Sequence, residues 1–319
     1  MMRNIKQYLF VALSVILSVV ILAGCGNEPS KSGHADKTNK NKVTLKQVSG
    51  ETRVIGNPKR IVVTDYRLAD SLLALGTKPY GMTSYMGSTE LPYLNSNALR
   101  GVKNLGDEPN LEAILQAKPD LIISRDSQSK IYNDLSKIAP TITSVKTDDW
   151  RSDFQSLAKM LHKETAADKW LDHYDNKVKK AKGKLIEKIG NDKTALYMRT
   201  MPKEYRIYGS DQFLGSTLSQ LGLKPVPQVK SIEKFEDISM EQLIKLNPDY
   251  IFLEVGGPVK NGDKEAEKQY KELSQTPIWK SLKAVKNNHV YTVPHWVISD
   301  YPLIKSKSVN LVLKKLKVD

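Results

Sequence analysis

The chain has 319 residues, with 49 Lys and Arg against 35 Asp and Glu, for a formal net charge of +14. Its single cysteine, Cys25, excludes an internal disulfide, and the length is too great for one ordinary core but comfortable for two lobes. The positive balance points to anionic partners, yet the lysines run along helical stretches such as Lys177 to Lys188 without interleaved aromatics, which argues for a solvated surface and against nucleic acid.

In chain order, Arg3 and Lys6 precede an apolar run from Tyr8 to Ala23 broken only by Ser14 and Ser18, the pattern of an export leader over residues 1–24. Its ending, Leu22-Ala23-Gly24-Cys25, resembles the lipobox of bacterial lipoproteins and implies cleavage before Cys25 and a lipid on its sulfur. An uncleaved signal anchor is the alternative, and these flanks suit a permanent span poorly. Two or three acyl chains suffice for stable anchoring, so the chain is expected on the outer face of a cell membrane. Loss of Arg3 and Lys6 with the leader lowers the charge from +14 to +12 (14 − 2). Residues 25–42, rich in Ser, Lys, Asn, Gly and Asp without apolar periodicity, read as a flexible tether.

A weak internal repeat organises the remaining residues. Leu72-Leu73-Ala74-Leu75-Gly76-Thr77-Lys78-Pro79 is echoed by Leu218-Ser219-Gln220-Leu221-Gly222-Leu223-Lys224-Pro225: a helix end, a glycine cap and a returning strand. Likewise the segment from Leu111 through Lys118-Pro119-Asp120 to Ile123 matches that from Met240 through Asn247-Pro248-Asp249 to Phe252, a short helix stopped before proline and followed by an apolar strand. The fold class is therefore α/β: two lobes, 43–152 and 191–319, each with a central, mostly parallel sheet flanked by helices. Between them Phe154, Leu157, Leu161, Trp170, Tyr174, Val178, Ala181 and Leu185 keep helical spacing, so residues 153–190 are predicted to form one long connecting helix that stops at Gly190-Asn191-Asp192. Trp170 and Trp279 are assigned to the core.

The lipobox, the opening strand Pro58-Lys59-Arg60-Ile61-Val62-Val63, the Pro109-Asn110-Leu111-Glu112 and Lys118-Pro119-Asp120 units, and Pro277-Ile278-Trp279-Lys280-Ser281-Leu282-Lys283-Ala284-Val285-Lys286 together resemble the iron-siderophore-binding lipoproteins of Gram-positive bacteria, of the helical-backbone class of ABC-importer substrate-binding proteins. The resemblance covers nearly all of the mature chain. It implies a monomer that captures a ferric siderophore between its lobes and delivers it to a membrane permease driven by an ATPase.

Many ferric chelates are anionic, and arginine grips carboxylate oxygens in a planar fork. Ligand clefts of open α/β sheets gather at the carboxyl ends of strands, which selects Arg67, Arg125 and Arg199, with Arg206 and Tyr208 on the partner strand of a hairpin and Arg100 as a further candidate. Arg199 with Arg206-Ile207-Tyr208 is similar to the start of the second lobe in carboxylate-siderophore binders, while Met201 stands where a catecholate binder would carry a second arginine. A citrate-based carboxylate or mixed carboxylate-hydroxamate is thus the leading ligand. A trihydroxamate comes next, then haem or a corrinoid with Tyr66, Tyr85, Met86 or His295 as axial ligand. Aromatic faces for the chelate backbone are sought in Tyr66 and Tyr85 of the first lobe, and in His295, Trp296 and Tyr301 of a loop resembling one in hydroxamate binders.

His34, His162, His173, His289 and His295 form no HxH or HxxxH group and no thiolate accompanies them, so iron is expected to arrive already chelated, with no direct metal ligand and no intrinsic cofactor. No GxSxG, P-loop, GxGxxG or HExxH signature is present, which argues against an enzyme. A non-transport surface lipoprotein is the reading of a different class. Glu112 and Glu241 occupy matching repeat positions, and the resemblance implies that one such glutamate per lobe docks on the permease.

Overall fold

The computed structural model describes residues 42–47, 50–55, 58–201, 204–257 and 263–318; the leader, Cys25 and the expected tether up to residue 41 lie outside them. Strands β1 (Lys42–Gln47) and β2 (Gly50–Ile55) form an antiparallel hairpin, tied to the first lobe where the Thr52 hydroxyl donates to the Thr141 carbonyl at 2.6 Å.

The first lobe is a five-stranded, all-parallel sheet in the order β5-β4-β3-β6-β7, made of β3 (Ile61–Val63), β4 (Gly81–Met82), β5 (Lys103–Asn104), β6 (Leu121–Arg125) and β7 (Thr141–Ser144). Every residue of β3 and all but the last of β6 are buried, as continuous apolar runs demand when helices cover both faces. The helices are α1 (Tyr66–Ala74), α2 (Leu111–Ala117) and α3 (Tyr132–Ile138).

The second lobe orders its strands β11-β9-β8-β12-β13, with β10 alongside the start of β8. These are β8 (Thr194–Met201), β9 (Glu204–Tyr208), β10 (Lys224–Pro225), β11 (Phe235–Ile238), β12 (Tyr250–Val255) and β13 (Val290–Val293). β8, β10, β12 and β13 run parallel, while β9 is antiparallel to both β8 and β11.

The repeat is carried into hydrogen bonds. Asp120 accepts from the Lys59 and Arg60 amides (2.8 and 2.9 Å), and its counterpart Asp249 accepts from the Thr194 amide (2.8 Å). In each lobe the Pro-Asp carboxylate therefore clamps the start of the neighbouring strand. The helices before these units, α2 and α7 (Met240–Leu246), both end on a left-handed residue, Lys118 and Asn247, just before the proline.

The connector departs from expectation. It is two helices, α4 (Trp150–Met160) and α5 (Glu164–Ile189). His162 adopts a left-handed conformation (φ +55°), the Lys163 amide bonds back to the Ala158 carbonyl (2.8 Å), and the His162 amide to that of Lys159 (3.2 Å). This Schellman closure ends α4 without a glycine or a proline. Trp150, Phe154, Trp170 and Tyr174 pack across the α4/α5 pair, with Trp170 stacked on Tyr174 and only partly buried. Three helices, α8 (Lys264–Gln275), α9 (Pro277–Ser281) and α10 (Lys283–Lys286), follow β12, and Trp279 of α9 is buried among second-lobe side chains. The last helix, α11 (Pro302–Lys315), packs on α1 of the first lobe and α6 (Phe213–Gln220) of the second, and one continuous apolar cluster joins both lobes through α4, α5 and α11.

Candidate functional site

A groove of about 360 Å³ opens between the lobes. Its first wall is built by residues at or just beyond the carboxyl ends of β3, β6 and β7, including Arg67, Arg125, Lys146 and Thr147. Phe213, Lys234, Phe235 and the segment Ile298–Tyr301 form the other.

Asp65 organises the first wall. As the N-cap of α1 it accepts from the Arg67 amide, and the Arg67 guanidinium grips both its oxygens (Nε at 2.8 Å, a terminal nitrogen at 2.6 Å) while Arg125 reaches the second at 3.0 Å. Burial alone would raise the Asp65 pKa, but the Arg67 hydrogen bonds and the charges of Arg67 and Arg125 outweigh it and hold the carboxyl below the ordinary value. Two guanidiniums thus share one carboxylate, which leaves a surplus positive charge, and among the described residues the buried Nε of Arg125 has no partner. Lys146 is paired with Asp153 at 3.0 Å.

The second lobe presents a cross-strand row. Register places Asp237, Arg206, Arg199 and Glu254 directly opposite one another on β11, β9, β8 and β12, so all four share a face of the sheet. Each arginine has an acid on its outer side: Arg206 forks Asp237 (2.8 and 2.9 Å), and the Arg199 Nε donates to the Gly256 carbonyl (2.7 Å) and lies 3.3 Å from Glu254. The two guanidinium residues are therefore neighbours, an arrangement that is unfavourable in a ladder unless something anionic relieves it. Arg206 also stacks on Phe235, an exposed ring of the groove wall (4.0 Å to the centroid). Glu254, 1% exposed, is held by the Tyr197 hydroxyl (2.7 Å) and by His295 Nδ1 as well as by Arg199.

Aromatic side chains gather beside this row. Tyr66, Tyr85, Tyr93, His295 and Trp296 line a small adjoining recess, with Tyr66 and Tyr85 ring centroids 5.0 Å apart and Tyr93 and Trp296 5.6 Å apart. Tyr301 faces the main groove and is largely buried; burial raises its hydroxyl pKa. Phe213 lies in the left-handed region (φ +47°), its amide bonded to Asp300 (3.3 Å) and its carbonyl to the ammonium of buried Lys305 (2.8 Å), which also pairs with Asp300.

Of the residues selected from sequence, Arg67, Arg125 and Tyr301 line the groove, and Tyr85, His295 and Trp296 the recess. Arg199 and Arg206 are brought together in the row, but neither lines the groove or the recess; Arg206 meets the groove wall through Phe235. Two more differ from expectation. Tyr208 is 3% exposed and stacked on Tyr197 (4.7 Å), so it supports the sheet face from within. Arg100 is exposed in a turn whose carbonyl accepts from Lys78, beyond the C-terminal end of α1 and just before β5 starts, at the opposite edge of the sheet from the groove. Sequence reasoning missed Asp65, Asp237, Glu254 and Phe213. Glu254 had a signal, a single acid inside the apolar strand Tyr250–Val255. Among the described residues no three His, Cys, Asp or Glu side chains group as a metal site.

A periplasmic binding protein family model matches residues 61–295, most of the chain, including the first wall of the groove and Phe213, Lys234 and Phe235 of the second. The chain belongs to the periplasmic binding protein family. This binding protein is 33% identical to the iron(3+)-hydroxamate-binding protein FhuD of Bacillus subtilis (strain 168), over 91% of each chain. It is 30% identical to the Fe(3+)-citrate-binding protein YfmC of the same organism, over 99% of each. Among solved structures it is similar to Staphylococcus aureus SirA complexed with staphyloferrin B: TM-score 0.73, 28% identity, 87% of this chain and 99% of that one. The family is one of solute-binding folds, so the binding protein is not an enzyme.

Proposed function

We propose that the binding protein is the extracytoplasmic capture component of an ABC importer, lipid-anchored through Cys25, which takes a ferric siderophore into the groove and hands it to a permease driven by an ATPase. Relatives named for ferric hydroxamate and ferric citrate support the siderophore class. The observation that carries the finer reading is the adjacency of Arg199 and Arg206, each with an acid on its outer side. A chelate carboxylate between them would relieve the repulsion and gain charge-assisted hydrogen bonds. With the surplus charge at Arg67, Arg125 and Asp65, this favours a citrate-based carboxylate or mixed carboxylate-hydroxamate ligand.

A trihydroxamate is the second reading. It is favoured by Asp237 and Glu254, which offset the charges of Arg206 and Arg199 within the row, and by the aromatic recess. Exposed Glu112 and Glu241, each in the first turn of its repeat helix, are the permease contacts in this proposal.

Tryptophan quenching on titration with ferric citrate-type chelates and with ferrioxamine tests the assignment. The citrate-type chelate should bind more tightly, and Arg199→Ala and Arg206→Ala should each weaken it about tenfold or more, the scale of a lost charge-assisted hydrogen bond. Equal affinity for ferrioxamine, or undiminished binding by the arginine variants, would remove the carboxylate reading.

A further inference from the structure

The second half of α5 and the terminal helix α11 run side by side in the same direction. Lys177 Nζ donates to the Ser306 carbonyl (2.6 Å) and hydroxyl (2.8 Å), and eleven residues later Lys188 donates to the Lys317 carbonyl, the same offset of 129 in the chain. That constant offset means the helices stay in step over about 16 Å, at 1.5 Å per residue.

Lysines crowd this seam. Lys177, Lys180 and Lys188 belong to α5, Lys307 and Lys314 to α11, and Lys317 follows it; Lys180, Lys188, Lys314 and Lys317 are exposed. No Asp or Glu occurs between Tyr301 and Val318, and Glu187 is the single carboxylate between Lys177 and Lys188. Among the described residues none of the six lysines forms an ion pair.

A solvated helix face explains part of this, and compensation of the helix dipoles explains lysines in the last turns. The dipoles do not account for Lys177 and Lys307, which lie turns away from the C-terminal ends of their helices. Burial first, and then the charge of Lys307, pull the Lys177 pKa down to about 8. An ammonium whose charged form is disfavoured by burial and by a like-charged neighbour would be stabilised by an outside anion.

We propose that this lysine seam is a docking surface for an anionic lipid bilayer. The chemistry favours a membrane over a discrete ligand. All the cations are lysines, flexible point charges suited to a varied array of phosphates, with no arginine fork and no aromatic platform. The chain also has the reach: seventeen residues, 25–41, join the expected lipid site to the folded body, and fully extended they span at most about 60 Å. A seam lying on the bilayer would hold the body at the membrane surface. The surface is separate from the groove, so its test does not depend on the siderophore assignment.

The test is lysine acetylation read by mass spectrometry on the full, lipid-bearing protein in vesicles of phosphatidylcholine alone or with about one-third phosphatidylglycerol. Lys180, Lys188 and Lys314 should react several-fold more slowly on the anionic vesicles, and the protection should vanish at molar salt. Lys230 and Lys268, exposed elsewhere, should not change. The double variant Lys180→Glu and Lys314→Glu, checked for an unchanged melting curve, should lose the protection of Lys188 by roughly fivefold or more. Equal reactivity on the two kinds of vesicle would overturn the proposal even if the variant failed to fold. So would protection by soluble polyphosphate with none from vesicles.

Discussion

Phe213 shows how single residues shape the groove. A non-glycine residue at positive φ persists only where its surroundings over-determine it. Here Asp300 takes its amide and Lys305, 1% exposed, takes its carbonyl, while Lys305 and Asp300 neutralise each other. Burial lowers the Lys305 pKa and the Asp300 charge opposes that. Removing one partner of such a pair leaves a buried charge alone, at a cost of about 3–5 kcal/mol. Lys305→Met should therefore lower stability by about that amount in denaturant unfolding, and Lys305→Met with Asp300→Asn by clearly less. A double variant no milder than the single would show that the pair does not act as a unit. The sequence carries no sign of this clamp. Phe213 lies in a stretch with ordinary turn chemistry, and its partners arrive from about ninety residues away.

Among the elements, α11 depends on a cap borrowed from another lobe. Pro302 supplies no amide at its first position, and the amides of Leu303 and Ile304 both donate to Asp70 of α1 (2.7 and 3.1 Å). Asp70 is fully buried, and burial outweighs these amides and the Tyr93 hydroxyl to raise its pKa to about 7. The sign follows by linkage. A carboxyl with a folded pKa above its unfolded value of 3.8 is protonated more readily in the folded chain, so its stabilisation is full below about pH 4 and is lost as pH rises through 7. Between pH 5 and 8 the melting temperature of the protein should fall relative to that of Asp70→Asn. Parallel curves for the two proteins would contradict the assignment.

The proline stops after α2 and α7, their glutamate-bearing first turns and the apolar strands beyond them are legible because each signal is local. The break at His162 is not, since a Schellman closure on a histidine leaves hydrophobic spacing nearly unbroken across it. Nor are Asp237 and Glu254, whose meaning comes from strand order: only β11-β9-β8-β12 adjacency sets them beside Arg206 and Arg199. Arg100 is a bare arginine without a strand end, and that is why it falls on the far edge.

For the molecule as a whole, the continuous apolar cluster through α4, α5 and α11 makes the lobes one mechanical body, so the distance between Glu112 and Glu241 is fixed largely by the framework. Both are exposed at the starts of matching helices, and the Ser239 hydrogen bond lowers the pKa of Glu241 so that it stays charged. If they orient the body on a permease, Glu112→Lys and Glu241→Lys should each leave siderophore affinity unchanged in titration yet reduce uptake by cells several-fold, the scale expected for a steering contact. Weakened ligand binding in either variant, or normal uptake in both, would contradict the docking role.

The charge row also bears on how such a protein changes its diet. Its outer acids differ in cost of replacement: Glu254 is enclosed by three partners, whereas Asp237 is exposed and meets the row through Arg206. Neutralising Asp237 would make the row one charge more positive and release the Arg206 guanidinium from its acid partner, while leaving the core and Arg199 untouched. A laboratory library, or a lineage meeting a new chelator, has in that single surface position a dial for the anionic character of what is captured.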